Sequence, residues 1–133
     1  MSAVVADTHA LIWYLDVPSR LSANAVAALD GATASGNPIF ISAISVVEIV
    51  YLVDKGRLST STLDRLYSTL NSEDSAIAVV PVDLAVARTV HLVSRDVVPD
   101  MPDRIIAATS LNLDLPLVTK DAKIRAANVT TIW

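Results

Sequence analysis

Short apolar runs alternating with helical stretches constrain this chain of 133 residues more than any other feature. Ala3, Val4, Val5 and Ala6 form the first run, which stops at Asp7. Residues 38–41 form the second and stop at Ser42. Residues 77–82 form the third, and its Pro81 marks an edge strand or the strand's end, because proline cannot donate to a ladder. Residues 115–118 form the fourth, stopping at Thr119, and 129–132 form the last. Runs this uniformly apolar read as strands buried on both faces.

The intervening stretches have helical spacing. An apolar helix covers Ala10 to Leu15, with Thr8 as its N-cap. Further helices are expected over 22–35, starting at a capping Ser22 and ended by Gly36-Asn37-Pro38, and over 45–53 and 60–70. Three more follow over 83–95, 103–113 and 121–127. Strands alternating with helices predict an α/β fold. We expect one domain over residues 1–133, with a central, mostly parallel sheet of about four to five strands flanked by helices.

Composition excludes several classes. There is no cysteine, which removes disulfide frameworks and thiolate zinc sites, and two histidines cannot make a three-His metal site in one chain. A hydrophobic content of 53% excludes disorder and leads us to expect apolar surface covered by a partner. The longest apolar stretch, 41–53, is shorter than the roughly 20 residues a bilayer needs and has Glu48 in its middle, so no membrane span is expected. The opening MSAVVADTHA has no basic segment ahead of an apolar one, so no signal peptide is read and a cytoplasmic location is expected. A formal charge of −4 argues against broad, nonspecific nucleic-acid binding. No GxGxxG, GxxxxGK[ST], GxSxG or HExxH motif occurs, which weakens dinucleotide, P-loop, serine-hydrolase and zincin readings.

Ligands of open parallel sheets bind beyond the carboxyl ends of the strands. Acids collect there. Asp7 and Thr8 follow the first run, and Glu48 lies about one and a half turns into the helix beyond the second. Asp100 and Asp103 stand at the start of the 103–113 helix, and Asp121 follows Thr119 and Lys120. Carboxylates packed this closely repel one another unless a cation is present, and hard oxygen donors without His or Cys suit Mg²⁺ or Mn²⁺. Each acid also has a plainer reading. Asp7 fits a strand-end turn, Asp103 and Asp121 fit helix N-caps, Asp100 a loop, and Glu48 a capping-box partner of Ser45. Asp83 reads only as an N-cap. His9 and His91 read most simply as structural side chains.

These residues resemble a known family. Asp7-Thr8-His9-Ala10-Leu11-Ile12-Trp13 is similar to the opening D-T-x-A-L-[IL]-W of PIN domains, and Ser42 to Glu48 to their S-x-x-[ST]-x-x-E block. Pro102-Asp103-Arg104-Ile105-Ile106-Ala107-Ala108 resembles P-x-D-R-x-I-A-A with the proline shifted, and Leu117-Val118-Thr119-Lys120-Asp121 resembles L-V-[ST]-x-D. The four blocks follow in order over essentially the whole chain. The small single-domain form looks most like the VapC-type toxins of prokaryotic toxin–antitoxin pairs.

The resemblance implies an endoribonuclease dependent on Mg²⁺, with Mn²⁺ able to substitute. Asp7, Glu48 and Asp103 match the family's acidic metal-binding set, Asp121 its fourth acid, and Thr119 a supporting polar residue, with Thr8 beside them. Asp100 matches the first acid of the D-P-x-D-R segment of many relatives, but the displaced proline ranks it below Asp103. The expected reaction is attack of an activated water on phosphorus in RNA, and divalent cations neutralising the acids reconcile that substrate with the chain's negative charge. Arg104, Lys120, Lys123 and Arg125 are candidate contacts to the RNA backbone. The resemblance also implies a cognate antitoxin and a homodimer, and the continuous apolar runs Leu11 to Leu15 and Ile49 to Val53 are expected to supply part of an interface. Two alternatives stand beside this reading: a receiver-like phosphoacceptor domain, and a non-catalytic PIN-like subunit that binds partners.

Overall fold

Val5 and Ala6 are wholly inaccessible to solvent and Val4 is nearly so, the burial expected of a central strand. A computed structural model, describing residues 2–133, places this strand, β1 (Val4–Ala6), in the middle of a five-stranded sheet. The chain continues through α1 (Thr8–Asp16), a 3-10 turn (Pro18–Arg20), α2 (Ala23–Ala34), β2 (Ile39–Ser42), α3 (Ala43–Asp54), α4 (Thr60–Leu70) and β3 (Ile77–Val80). It then passes through α5 (Leu84–Thr89), a second 3-10 turn (Val90–Leu92), α6 (Met101–Leu113), β4 (Leu117–Val118), α7 (Ala122–Arg125) and β5 (Thr131–Ile132).

The strand order is β3-β2-β1-β4-β5, and every pairing is parallel. The chain winds outward from β1 to β3, then crosses back to the other side of β1, so the order reverses between β1 and β4. That switch point is where an open parallel sheet leaves a crevice for ligands. The order differs from the 2-1-3-4-5 arrangement of receiver domains, which removes the phosphoacceptor alternative. β3 is an edge strand that ends just before Pro81, as the proline requires.

Alternation along the strands builds a core on each face. Val4, Ala6, Ile39, Ile41 and Val118 join Leu11, Leu29, Ile49 and Leu66, drawn from α1 to α4. Val5 and Leu117 join Val86, Ile106 and Ile124, drawn from α5 to α7. The run Leu11 to Leu15 is accommodated within the chain: Leu11 and Ile12 are buried, and Trp13, Tyr14 and Leu15 pack against the first cluster. From the run Ile49 to Val53, Ile49 is buried while Tyr51 remains 57% exposed, beside Val47 at 59%.

Several boundaries differ from the sequence reading: α6 begins two residues early at Met101 and α7 ends at Arg125, and three further differences each have a local reason. Helix α1 is capped by Asp7 rather than Thr8. Helix α3 begins at Ala43 because Ser42 is the cap, its hydroxyl accepting from the Ile44 amide at 3.1 Å. The helix expected over 83–95 starts on its Asp83 cap but tightens to a 3-10 turn and ends at Leu92. Arg104 explains this ending. Its guanidinium donates to the Val93 carbonyl at 2.9 and 3.1 Å and to the Val90 carbonyl at 3.1 Å, so these carbonyls are satisfied without a further helical turn.

Candidate functional site

A cleft of about 630 Å³ opens beyond the carboxyl ends of the strands. Five carboxylates line it: Asp7, Glu48, Asp100, Asp103 and Asp121. Thr8 and His9 line it as well, and Trp13, Arg20 and Lys120 complete the wall. Thr119 lies beneath, fully buried. Every acid singled out as a site candidate therefore reaches one cavity, although they come from the end of β1, from α3, from the start of α6 and from the loop after β4.

Three of the five acids cap helices, and each cap uses one oxygen. Asp7 Oδ1 accepts from the Ala10 amide at 2.8 Å at the start of α1. Asp100 Oδ1 accepts from the Asp103 amide at 3.0 Å at the start of α6. Asp121 Oδ1 accepts from the Lys123 and Ile124 amides at 2.9 and 3.0 Å at the start of α7. The plain reading of Asp121 as an N-cap and its place in the cleft are thus compatible, since capping leaves a second oxygen. Asp100 is a cap rather than a loop residue, so the shifted Pro102 falls in the first turn, where proline is tolerated. Asp103 lies in that turn and caps nothing.

Two hydroxyls fix the remaining geometry. Thr119 Oγ1 donates to Asp7 Oδ2 and accepts from the Asp121 amide at 3.0 Å, so it ties two acids of the cleft together. Thr8 Oγ1 lies 2.6 Å from Glu48 Oε1 and 2.9 Å from Ser45 Oγ. A hydroxyl has one proton, and here it serves the carboxylate. Glu48 is therefore held by Thr8 across 40 residues of sequence, and the capping-box role with Ser45 does not arise.

The electrostatics are those of crowded like charges. Burial is the largest influence on Asp7 and raises its carboxyl above the usual range; the bond from Thr119 and the Ala10 amide oppose it. Glu48 is raised by burial and by Asp100 and Asp7, against Thr8 and His9. Asp103 is pushed up to about 7, first by burial and then by Asp100, Asp121, Glu48 and Asp7. Among the described residues the one ion pair is Arg65–Asp16, so no lysine or arginine pairs with any acid of the cleft.

Such a cluster lacks a counter-cation, and its donors are all hard oxygens. No group of three or more His, Cys, Asp or Glu side chains among the described residues stands ready to grip an ion directly. An open dish of this kind suits Mg²⁺, which keeps several waters and takes only one or two carboxylates with substrate phosphate. The donor set fits the cation expected from the sequence.

Two features escaped the sequence reading. Arg20 reaches the cleft from the first 3-10 turn, and nothing in its local sequence marks it. Arg104, expected near RNA phosphates, instead spends its guanidinium on backbone carbonyls. Lys120 does line the cleft.

The chain is 28% identical over 136 residues to Ribonuclease VapC22 of Mycobacterium tuberculosis, and the match covers all of both proteins. Its fold is similar to that in the crystal structure of VapBC2 from Rickettsia felis bound to a promoter DNA fragment, with a TM-score of 0.73 at 15% identity over 98% of this chain and 97% of that one. It is similar also to FitAcB from Neisseria gonorrhoeae, with a TM-score of 0.61 at 24% identity over 98% and 96% of the two chains. The PIN domain family model matches residues 4–129. With nearly its whole length matched, the chain belongs to the PIN domain family.

Proposed function

We propose that this protein is a Mg²⁺- or Mn²⁺-dependent endoribonuclease, the toxin of a toxin–antitoxin pair, acting in the cytoplasm. The observation that carries the reading is five carboxylates in one cleft at the sheet's switch point, without a paired basic side chain. The full-length likeness to Ribonuclease VapC22 supports the choice of RNA as substrate. The fold shared with VapBC2 and FitAcB supports a toxin's place in a two-protein system. Among the described residues no helix is long and apolar enough to cross a membrane.

Asp7, Glu48, Asp103 and Asp121 would hold one or two metal ions between them, with Asp100 beside them. When bound, the ion supplies charge stabilisation at phosphorus and lowers the pKa of water. The chain's own contribution is placement. Thr119 holds Asp7 in one orientation and Thr8 holds Glu48, so two ligands are fixed before any cation arrives. The exposed Val47 and Tyr51 of α3, with Ile44, Leu52 and Pro102, line an apolar groove of about 380 Å³ beside the acids, a surface suited to the antitoxin or to a second copy in a homodimer.

The test is cleavage of RNA with Mg²⁺, with EDTA, and by Asp7→Asn. Activity is expected only in the first condition. Cleavage that survives both chelation and the substitution rejects the mechanism.

A further inference from the structure

The indole of Trp13 carries two cations. The Arg20 guanidinium carbon lies 4.7 Å from its ring centroid, and Lys120 Nζ lies 5.9 Å away, both within cation–π range. Arg20 comes from the 3-10 turn after α1 and Lys120 from the loop after β4, so one ring gathers side chains from opposite ends of the sequence. The ring is itself buttressed, by His9 at 5.8 Å and by Trp133 at 5.9 Å, with tilted interplanar angles of 49° and 60°.

Charge makes this arrangement informative. Arg20 and Lys120 are exposed and share the cleft with five carboxylates. Flexible cations beside so many acids gain by pairing with them. Among the described residues neither does so; both stand on the indole. The cleft thus has an acidic floor that repels a polyanion and a basic lip left free to attract one.

We propose that Trp13 is a positioning residue that holds Arg20 and Lys120 as a two-pronged grip on the backbone phosphates flanking the scissile bond of single-stranded RNA. The inference rests on the nuclease reading above. It assigns backbone contact to the lip and chemistry to the floor, and it makes the grip independent of base identity, because phosphate contacts position a strand without reading its sequence.

The experiment measures binding of a labelled, mixed-sequence single-stranded RNA in Ca²⁺ across a salt series, with single-turnover cleavage in Mg²⁺ alongside. Arg20→Gln and Lys120→Gln are each expected to weaken binding about three- to tenfold, with cleavage falling more at subsaturating than at saturating RNA. Each should also reduce the slope of log Kd against log salt by about 0.7, the loss of one phosphate contact to a single strand. Trp13→Leu should match the Arg20→Gln/Lys120→Gln pair and add little to it, whereas Trp13→Phe, which keeps a ring, should retain most of the affinity. Full additivity of Trp13→Leu with that pair, or unchanged salt slopes in the glutamine variants, overturns the proposal. Should Trp13→Leu not fold, the slopes of the glutamine variants and the rescue by phenylalanine decide it. A wild-type chain that neither binds nor cleaves RNA overturns the nuclease reading along with the grip; a wild type that cleaves, with variants that match it, overturns the grip alone.

Discussion

Thr119, just beyond the end of β4, donates its hydroxyl to Asp7, just beyond the end of the neighbouring strand β1. Both residues are buried, at 0% and 7% exposure, so the bond has no ready substitute in water. Thr119→Val should therefore cost about 1–3 kcal/mol, the range for leaving a buried partner unsatisfied. Without this bond the Asp7 carboxyl rises further, and the loss should be largest where the group must be ionised. Thermal unfolding at low and neutral pH checks this: a shift in Tm that is equal at both would contradict it.

Asp103 gives a pH dependence of definite sign. Its carboxyl is raised from 3.8 to about 7, so between those values the folded chain holds a proton that the unfolded chain has lost. Stability then falls as pH rises through that window. The metal-free protein should melt at lower temperature at about pH 8 than at about pH 5, and added Mg²⁺ or Mn²⁺ should recover stability mainly at the higher pH, where the cation no longer competes with the proton. Asp103→Asn should flatten the pH dependence and shrink the metal-induced rise in Tm. Differential scanning fluorimetry across pH, with and without metal, reads both effects.

Thr8 should behave as a support for Glu48. Thr8→Val removes the 2.6 Å bond to Glu48 and the 2.9 Å contact with Ser45. The expected result is weaker metal binding and about tenfold lower cleavage, in line with lost outer-shell partners of metal ligands, with Thr8→Ser restoring both. Calorimetric titration with Mn²⁺ separates this from simple unfolding.

Arg104 should act on stability and not on RNA. Arg104→Gln strips hydrogen bonds from the Val90 and Val93 carbonyls and unties the second 3-10 turn from α6. A loss of about 1–3 kcal/mol is expected. The salt dependence of RNA binding should not change, and a reduced slope would return Arg104 to the phosphate-contact role suggested by its sequence neighbours.

Much of the fold was legible because buried parallel strands leave a strong trace. The runs at 3–6, 38–41 and 77–82 all fall on β1, β2 and β3; the acids beyond the first, second and fourth runs reach the cleft, whereas Asp83, after the third, only caps α5. What sequence could not supply was long-range side-chain partnership. Ser45 and Glu48 have capping-box spacing, but Thr8 claims Glu48 from another element. Arg104 neighbours Asp103 in sequence yet faces a turn formed by residues 90–93. Arg20 lies in a proline-initiated turn with no local signal, and its packing against Trp13 is a side-chain contact that the sequence does not mark. The caps were ambiguous for a different reason: a carboxylate has two oxygens, so capping and lining a cavity are compatible.

The sheet order has a consequence for dissection of the molecule. Everything before residue 81 builds β3, β2 and β1 and contributes Asp7 and Glu48; everything after it builds β4 and β5 and contributes Asp100, Asp103 and Asp121. Severed in the exposed Pro81–Asp83 connection, neither fragment would own a complete acid cluster, and among the described residues β1 against β4 is the one strand pairing that would rejoin them, with α6 packing on α3 and β2 beside it. Such a bisected chain would report the reunion of its halves by regaining the function of the whole.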